Sequence, residues 1–159
     1  MTTVRDARLS DIDDIVRLTG QLGYDVTASE AAAKLSRILS RHDHRFLMAE
    51  AGGQIVGWLH AAVTESIEAD PFVVVGGLVV DRDHRGQGIG RTLLEHAEAW
   101  AKHQGCAIVR VWSSTLRTAS HEFYEHLGYT KVKTQHSFVK PVGADGLGEI
   151  KRFVPRVET

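Results

Sequence analysis

Apolar positions along the chain switch between two periods. Thr3–Ala7 alternates as a short strand does. Behind it, Ile12, Ile15, Val16, Thr19 and Leu22 recur at helical spacing, with Ser10 as the expected N-cap, Asp13 three residues on, and Gly23 as the stop. Thr27 with Glu30 forms a capping-box pattern ahead of a second helix, whose apolar face is Ala31, Leu35, Ile38 and Leu39. Phe46–Glu50 and Ile55–Val63 flank the hairpin signal AGGQ, and Phe72–Val80 is a nearly continuous apolar run, as a central strand buried on both faces requires. Ile89, Leu93, Leu94, Ala97, Trp100 and Ala101 then share one helical face up to Gly105. Ala107–Trp112 reads as another buried strand, Thr118–Leu127 as a helix stopped by Gly128, and Tyr129–Val139 as a final strand. The predicted order is βααβββαβαβ, an α/β (α+β) domain around one mixed sheet.

The length of 159 residues fits one domain, expected over 1–142, with 143–159 as a tail to which no element is assigned. A charged fraction of 25% and a formal net charge of −1 give no global reason to expect a nucleic-acid or membrane partner. The N-terminal stretch MTTVRDARLSDIDD has no apolar core of the signal-peptide kind, and a cytoplasmic setting is expected. Cys106 stands alone among Ala107, Ile108 and Val109, which suits a buried structural thiol in a reducing compartment.

The chemistry concentrates in VVDRDHRGQGIGR, Val79–Arg91. A buried strand ends, three glycines follow in five residues (Gly86, Gly88, Gly90), and a helix begins. At a helix N-terminus the first backbone N–H groups lack partners and the dipole adds positive character, so phosphate or carboxylate is favoured. Arg85 and Arg91 bracket the turn and could add charge-assisted contacts. No lysine follows, which argues against a Walker A loop. Gly-x-Gly-x-Gly after a fourth strand also fits a dinucleotide fingerprint poorly. A glycine-eased connection with no ligand is the bland alternative.

Arg85-Gly86-Gln87-Gly88-Ile89-Gly90 is similar to the Arg/Gln-x-x-Gly-x-Gly/Ala signature of the GCN5-related N-acetyltransferases, and HEFYEHLGY (His121–Tyr129) resembles that family's Phe/Leu-Tyr-x-x-Leu-Gly-Phe/Tyr motif. The resemblance covers the chain to about Val142. It implies a mixed central sheet with a splayed pair of central strands, flanked by about four helices, and an acyltransferase that takes acetyl-CoA as co-substrate. Position by position, it implies that the backbone amides of Gln87, Gly88, Ile89, Gly90 and Arg91 bind the coenzyme A pyrophosphate. Arg85 and Gly86 open that turn. Leu78, Val79 and Val80 would pair with the pantetheine arm as if it were an added strand. Tyr124 matches the tyrosine that protonates the departing thiolate in many members.

Acyl transfer from thioester to amine needs a neutral amine, a donor to the oxyanion and a proton for the thiolate. The N–H of Val79 or Val80 could serve the oxyanion. Tyr124, with an ordinary pKa of about 10, can donate to a thiolate whose thiol lies near ~8.5. The glutamate that many members carry near the fourth strand is absent, since Gly76 and Gly77 stand there. Glu65, Glu68, His60 and His84 remain as candidate bases. Arg117 replaces an asparagine that contacts the cofactor arm in many members, with His121 preceding Phe-Tyr as in some others that carry arginine.

No metal is expected: His121 and His126 are five apart, about 140° around a helix, and cannot share an ion as an i, i+4 pair can. His42 and His44 read as a solvated turn, His96 and His103 as a polar helix face. Ser113 and Ser114 lack a nucleophile elbow. Glu65, Glu68 and Asp70, with Asp25 and Glu30, would favour a cationic acceptor, though ordinary solvated charges explain them as well. The expected acceptor is a small-molecule or peptide primary amine, small molecule first. A non-catalytic acyl-CoA-binding regulatory module of the same fold is the competing reading. Homodimers are frequent in the family, and the tail could pair across such an interface.

Overall fold

The computed structural model describes residues 1–153, which fall into two compact units divided between Trp112 and Ser113. The first unit holds β1 (Thr2–Asp6), α1 (Ile12–Gln21), α2 (Ala28–Leu39), β2 (His44–Ala51), β3 (Gln54–Thr64), β4 (Phe72–Val80), α3 (Ile89–His103) and β5 (Val109–Val111). The strands form one mixed sheet in the order β1-β2-β3-β4-β5, antiparallel except for the parallel β4–β5 pair.

One sheet face buries Phe46, Met48, Trp58 and Val79 against Ile15 and Leu18 of α1 and Leu35 of α2. The opposite face lies under α3. A Cβ at Gly57 would stand 2.9 Å from the Val79 carbonyl oxygen and 3.3 Å from Leu93 Cδ1, so the bare backbone there lets α3 approach the sheet. The apolar face read for α3 is the buried one, including Leu93, Leu94, Ala97 and Trp100.

Two bulges re-phase the sheet. Ala49 pairs with Gly57 but Glu50 pairs with Ile55, leaving Val56 as an extra residue in β3. His60 pairs with Gly77 but Ala61 pairs with Val75, leaving Gly76 as an extra residue in β4. The β4–β5 ladder covers only Val73–Val75 against Val109–Val111, so among the described residues β4 is without a strand on that side from Gly76 onward.

The capping box on α2 forms as read: Glu30 N–H donates to Thr27 Oγ1 at 3.1 Å. Ser10, by contrast, is not the N-cap of α1. A 3-10 turn, Leu9–Asp11, precedes that helix, and Asp11 is the buried polar residue that organises it. Asp11 accepts Arg5 Nη1 and Nη2 at 2.8 Å and the Arg8 N–H at 2.7 Å. The Arg5 hydrogen bond is the main reason its carboxyl sits below the usual range, against the opposing effect of burial. A depressed folded-state pKa stabilises the fold above the unfolded value of about 3.9 and loses that contribution as pH falls through the folded value. Asp11→Asn is expected to cost about 1–2 kcal/mol near neutrality, at the low end for a charged hydrogen bond because Arg5 is partly open to water. Thermal melts of both proteins from pH 6 down to pH 2 should converge as the wild type loses the ion pair.

The second unit contains α4 (Thr118–His126) and α5 (Gly146–Phe153). Three expectations are corrected. Ala107–Trp112 is not a buried strand: only Val109–Val111 pairs, half-buried, and Ile108 and Trp112 are exposed. Tyr129–Val139 has no regular secondary structure. Among the described residues of its unit no second strand faces it, and an isolated strand leaves its ladder groups unsatisfied. Part of the expected tail instead forms the fifth helix, α5. Residues 154–159 of that tail lie outside the described residues.

Candidate active site

The turn after β4 is pinned from below. Asp81 N–H donates to the Val56 carbonyl at 2.8 Å. The Asp81 carboxylate accepts Asp83 N–H at 3.0 Å and Arg17 Nη1 at 2.8 Å. These bonds, the Asp83 one first, hold its pKa below the ordinary carboxylate value. Arg17 also donates to the Ile55 carbonyl, and Gln21 Oε1 accepts Arg82 N–H, both at 2.9 Å. None of Arg17, Gln21 or Asp81 stands out in the sequence, since an exposed helix arginine is ordinary.

Above this base the chain turns through Gly86 (φ 76°) and Gly88 (φ 80°), both in the left-handed region that a side chain disfavours. Gly88 is the N-cap of α3 and brings no side-chain acceptor; the first turn contains no acidic residue. The leading N–H groups of α3 therefore meet neither a cap nor a competing carboxylate, the arrangement an anion needs. Gly90 and Ile89 are buried as the helix starts. Arg91 pairs with Glu95 at 3.1 Å, and Arg85 folds back to donate to the Val80 carbonyl at 3.3 Å. Both arginines rim the turn.

The strand edge beside it follows from the ladder. Asp81 bonds β3, so alternation turns Val79 and Gly77 toward β3, and Val80 and Leu78 toward the side that β5 leaves open. Leu78 and the Val80 N–H thus face the open side, the Val80 carbonyl being taken by Arg85, while Val79 is committed to the sheet. Glycines, open edge and uncapped helix end fit a phosphate followed by an amide-bearing arm.

Of the four candidate bases, only His60 lies at the β4 bulge, in register with Gly77. Glu65 and Glu68 line an open groove in the β3–β4 loop together with Asp70. His84 sits in the 3-10 turn after β4, 3.9 Å from Asp81, its buried Nδ1 without a hydrogen bond. His44, read as part of a solvated turn, is instead on β2 with Nδ1 2.9 Å from His60 Nε2. Trp58 lies across Gly77: a Cβ there would be 2.6 Å from Cζ3 of the indole. A second groove between α1 and α2 is lined by residues including Arg17, Tyr24, Asp25 and Glu30. Cys106 is buried as expected, and burial raises its thiol pKa.

In the second unit, Tyr124 is half-buried near the end of α4, edge-on to Tyr129 and Phe123. Burial raises its pKa, outweighing Arg117, so the phenol is protonated at neutral pH. The Ser114 carbonyl accepts Arg117 N–H at 3.0 Å and is 2.6 Å from His121 Nε2, so Arg117 and His121 meet at one backbone oxygen.

A family model described as the acetyltransferase (GNAT) family matches residues 11–129. An uncharacterized N-acetyltransferase of Methanocaldococcus jannaschii is 26% identical over 148 residues, an alignment that spans 88% of this chain and 66% of the relative. An uncharacterized N-acetyltransferase of Chlorobaculum tepidum is 29% identical, with 85% of this chain and 79% of the relative covered. Among solved structures, an aminoglycoside N-acetyltransferase in complex with CoA superposes with a TM-score of 0.80 over 88% of this chain and 95% of its own, at 20% identity. That likeness bears on the fold alone.

Proposed function

Because the chain belongs to the acetyltransferase (GNAT) family, we propose that it moves the acetyl group of acetyl-CoA to a primary amine by direct attack within a ternary complex. One observation carries the reading: the uncapped, glycine-turned N-terminus of α3 directly follows the half of β4 that β5 leaves unpaired. In this reading the pyrophosphate lies on the amides from Gln87 to Arg91. The pantetheine arm pairs with Leu78 and Val80, and a β4 N–H at the same edge donates to the developing oxyanion. Tyr124 keeps the role its motif implies, proton donor to the thiolate, and its raised pKa supports that by keeping the phenol protonated.

The acceptor is a small amine before a peptide. The acidic β3–β4 loop (Glu65, Glu68, Asp70) supports a cationic one, because a carboxylate-lined approach attracts ammonium groups. The buried single thiol fits a cytoplasmic enzyme.

Thiol release from acetyl-CoA, measured with a polyamine, an aminoglycoside, an amino sugar phosphate and a lysine peptide, tests the reading. Turnover with at least one amine is expected, above the hydrolysis seen with none. Thermal stabilisation by acetyl-CoA without thiol release from any amine would favour the non-catalytic binding module, which the glycines at the usual glutamate position already encourage. No stabilisation would remove both.

A further inference from the structure

A primary amine in neutral water is an ammonium ion and must shed a proton before it can attack. β4 supplies no base at its bulge, since Gly76 and Gly77 carry no side chain. The residue opposite Gly77 is His60. Its ring is flanked by Phe46, at a centroid separation of 5.5 Å, and by His44, at 5.2 Å. His60 Nε2 and His44 Nδ1 share one proton across 2.9 Å. Among the described residues, His60 Nδ1 has no hydrogen-bond partner.

Ionisable neighbours of His60 are few. β4 opposes it with Gly77, β2 with Phe46 and His44, and β3 itself places Trp58 and Ala62 on the same face. Burial, and after it the neighbouring His44 ring, pushes its pKa down to about 4. The ring is therefore neutral at working pH, with a lone pair always available, but it is a poor place to keep a positive charge. His44, which begins β2 beside Asp43, carries the line of ring nitrogens onward from His60.

Resting on the acetyltransferase reading, we propose that His60 and His44 form a two-histidine relay that takes the proton from the acceptor ammonium and delivers it to water. The ammonium N–H bond breaks and its proton joins His60 Nδ1. The proton on His60 Nε2 crosses to His44 Nδ1, and the proton on His44 Nε2 leaves to water. The amine lone pair is then free for the thioester carbonyl. Proton exchange of both rings with water, after product release, restores the starting tautomers. His60 needs to hold the extra charge only in passing, which is why a pair serves where a single buried ring would not.

The test uses the full chain with acetyl-CoA and whichever amine of the panel gives the fastest thiol release. His60→Gln is expected to lose about 10²–10³-fold in kcat/KM, and His44→Phe about tenfold, with thermal stabilisation by acetyl-CoA retained in both. Added imidazole should restore part of the activity of His60→Ala. With methoxyamine, a weakly basic acceptor that arrives neutral at pH 7, the loss in His60→Gln should shrink below tenfold. A structural defect would instead lower both acceptors alike. Nitrogen NMR of the resting wild type should find His60 neutral from pH 6 to 9 with its proton on Nε2. Retention of activity within threefold in His60→Gln, equal losses with both acceptors, or a resting proton on His60 Nδ1 would each overturn the relay while wild-type turnover leaves the enzyme reading intact. No turnover by the wild type with any amine would remove the enzyme reading, and the relay with it.

Discussion

Replacing Gly88 with tryptophan is expected to abolish acetyl-CoA binding while leaving the protein folded. Gly88 holds φ at 80°, and a Cβ placed there meets no protein atom within 4 Å. The fold therefore loses only the strain of a left-handed side-chain residue, about 1–2 kcal/mol. For a domain of this size that lowers the melting temperature by roughly 3–8 °C. The proposed ligand would be affected far more, because in that reading the empty space beside Gly88 admits its phosphate to the α3 amides. Affinity should fall by more than about 100-fold, and the thermal shift with acetyl-CoA should vanish. Gly88→Ala separates the two effects: it has the same strain with little added bulk, so it should bind more weakly than the wild type yet still measurably. A Gly88→Trp protein that acetyl-CoA stabilises normally would show that the turn holds something else.

Leu59→Ala should be the most damaging truncation to the sheet behind that site. Leu59 is fully buried on β3, two residues from Gly57 and so on the α3 face, in register with Leu78. Removing a leucine side chain from such a position costs about 2–5 kcal/mol, depending on how far the surroundings collapse into the cavity. Urea unfolding should show the midpoint falling with the slope unchanged. A loss below 1 kcal/mol would mean that α3 relaxes onto the sheet more freely than its packing around Leu93 and Leu94 suggests.

What could be read in advance follows from how local each signal is. The bounds of Phe72–Val80 are legible because its apolar run is unbroken, although only Phe72–Val75 and Val79 are buried and Gly76 is exposed; the capping box at Thr27 and Glu30 is specified within four residues. The glycine turn was readable because left-handed backbone has few sequence solutions. β5 shortened because whether a strand pairs depends on its neighbour diverging, which its own residues do not encode. Tyr129–Val139 misled for a related reason, since alternation announces a strand without providing its partner. The His44–His60 contact was hidden by a single residue. Counted evenly outward from the Gly52–Gly53 turn, His60 would pair with Arg45 and share its face, while His44 would point to the other. The extra Val56 shifts the register by one, pairs His60 with Phe46, and puts both histidines on one face. A bulge leaves little trace in hydrophobic pattern, and here it decides which side chains meet.

The bonds from Arg17 and Gln21 to the turn after β4 also shape how ligands would be received. They belong to α1, which holds the base of the turn at Asp81 and Arg82. Ordering the turn is therefore completed during folding, and the coenzyme proposed to bind there would meet a preorganised surface instead of immobilising a loose loop. Arg17 also lines the groove between α1 and α2. A ligand settling there bears on the same guanidinium that steadies the cradle. Thermodynamic linkage makes any such influence mutual: whatever occupancy of one place does to affinity at the other, the reverse holds by the same factor.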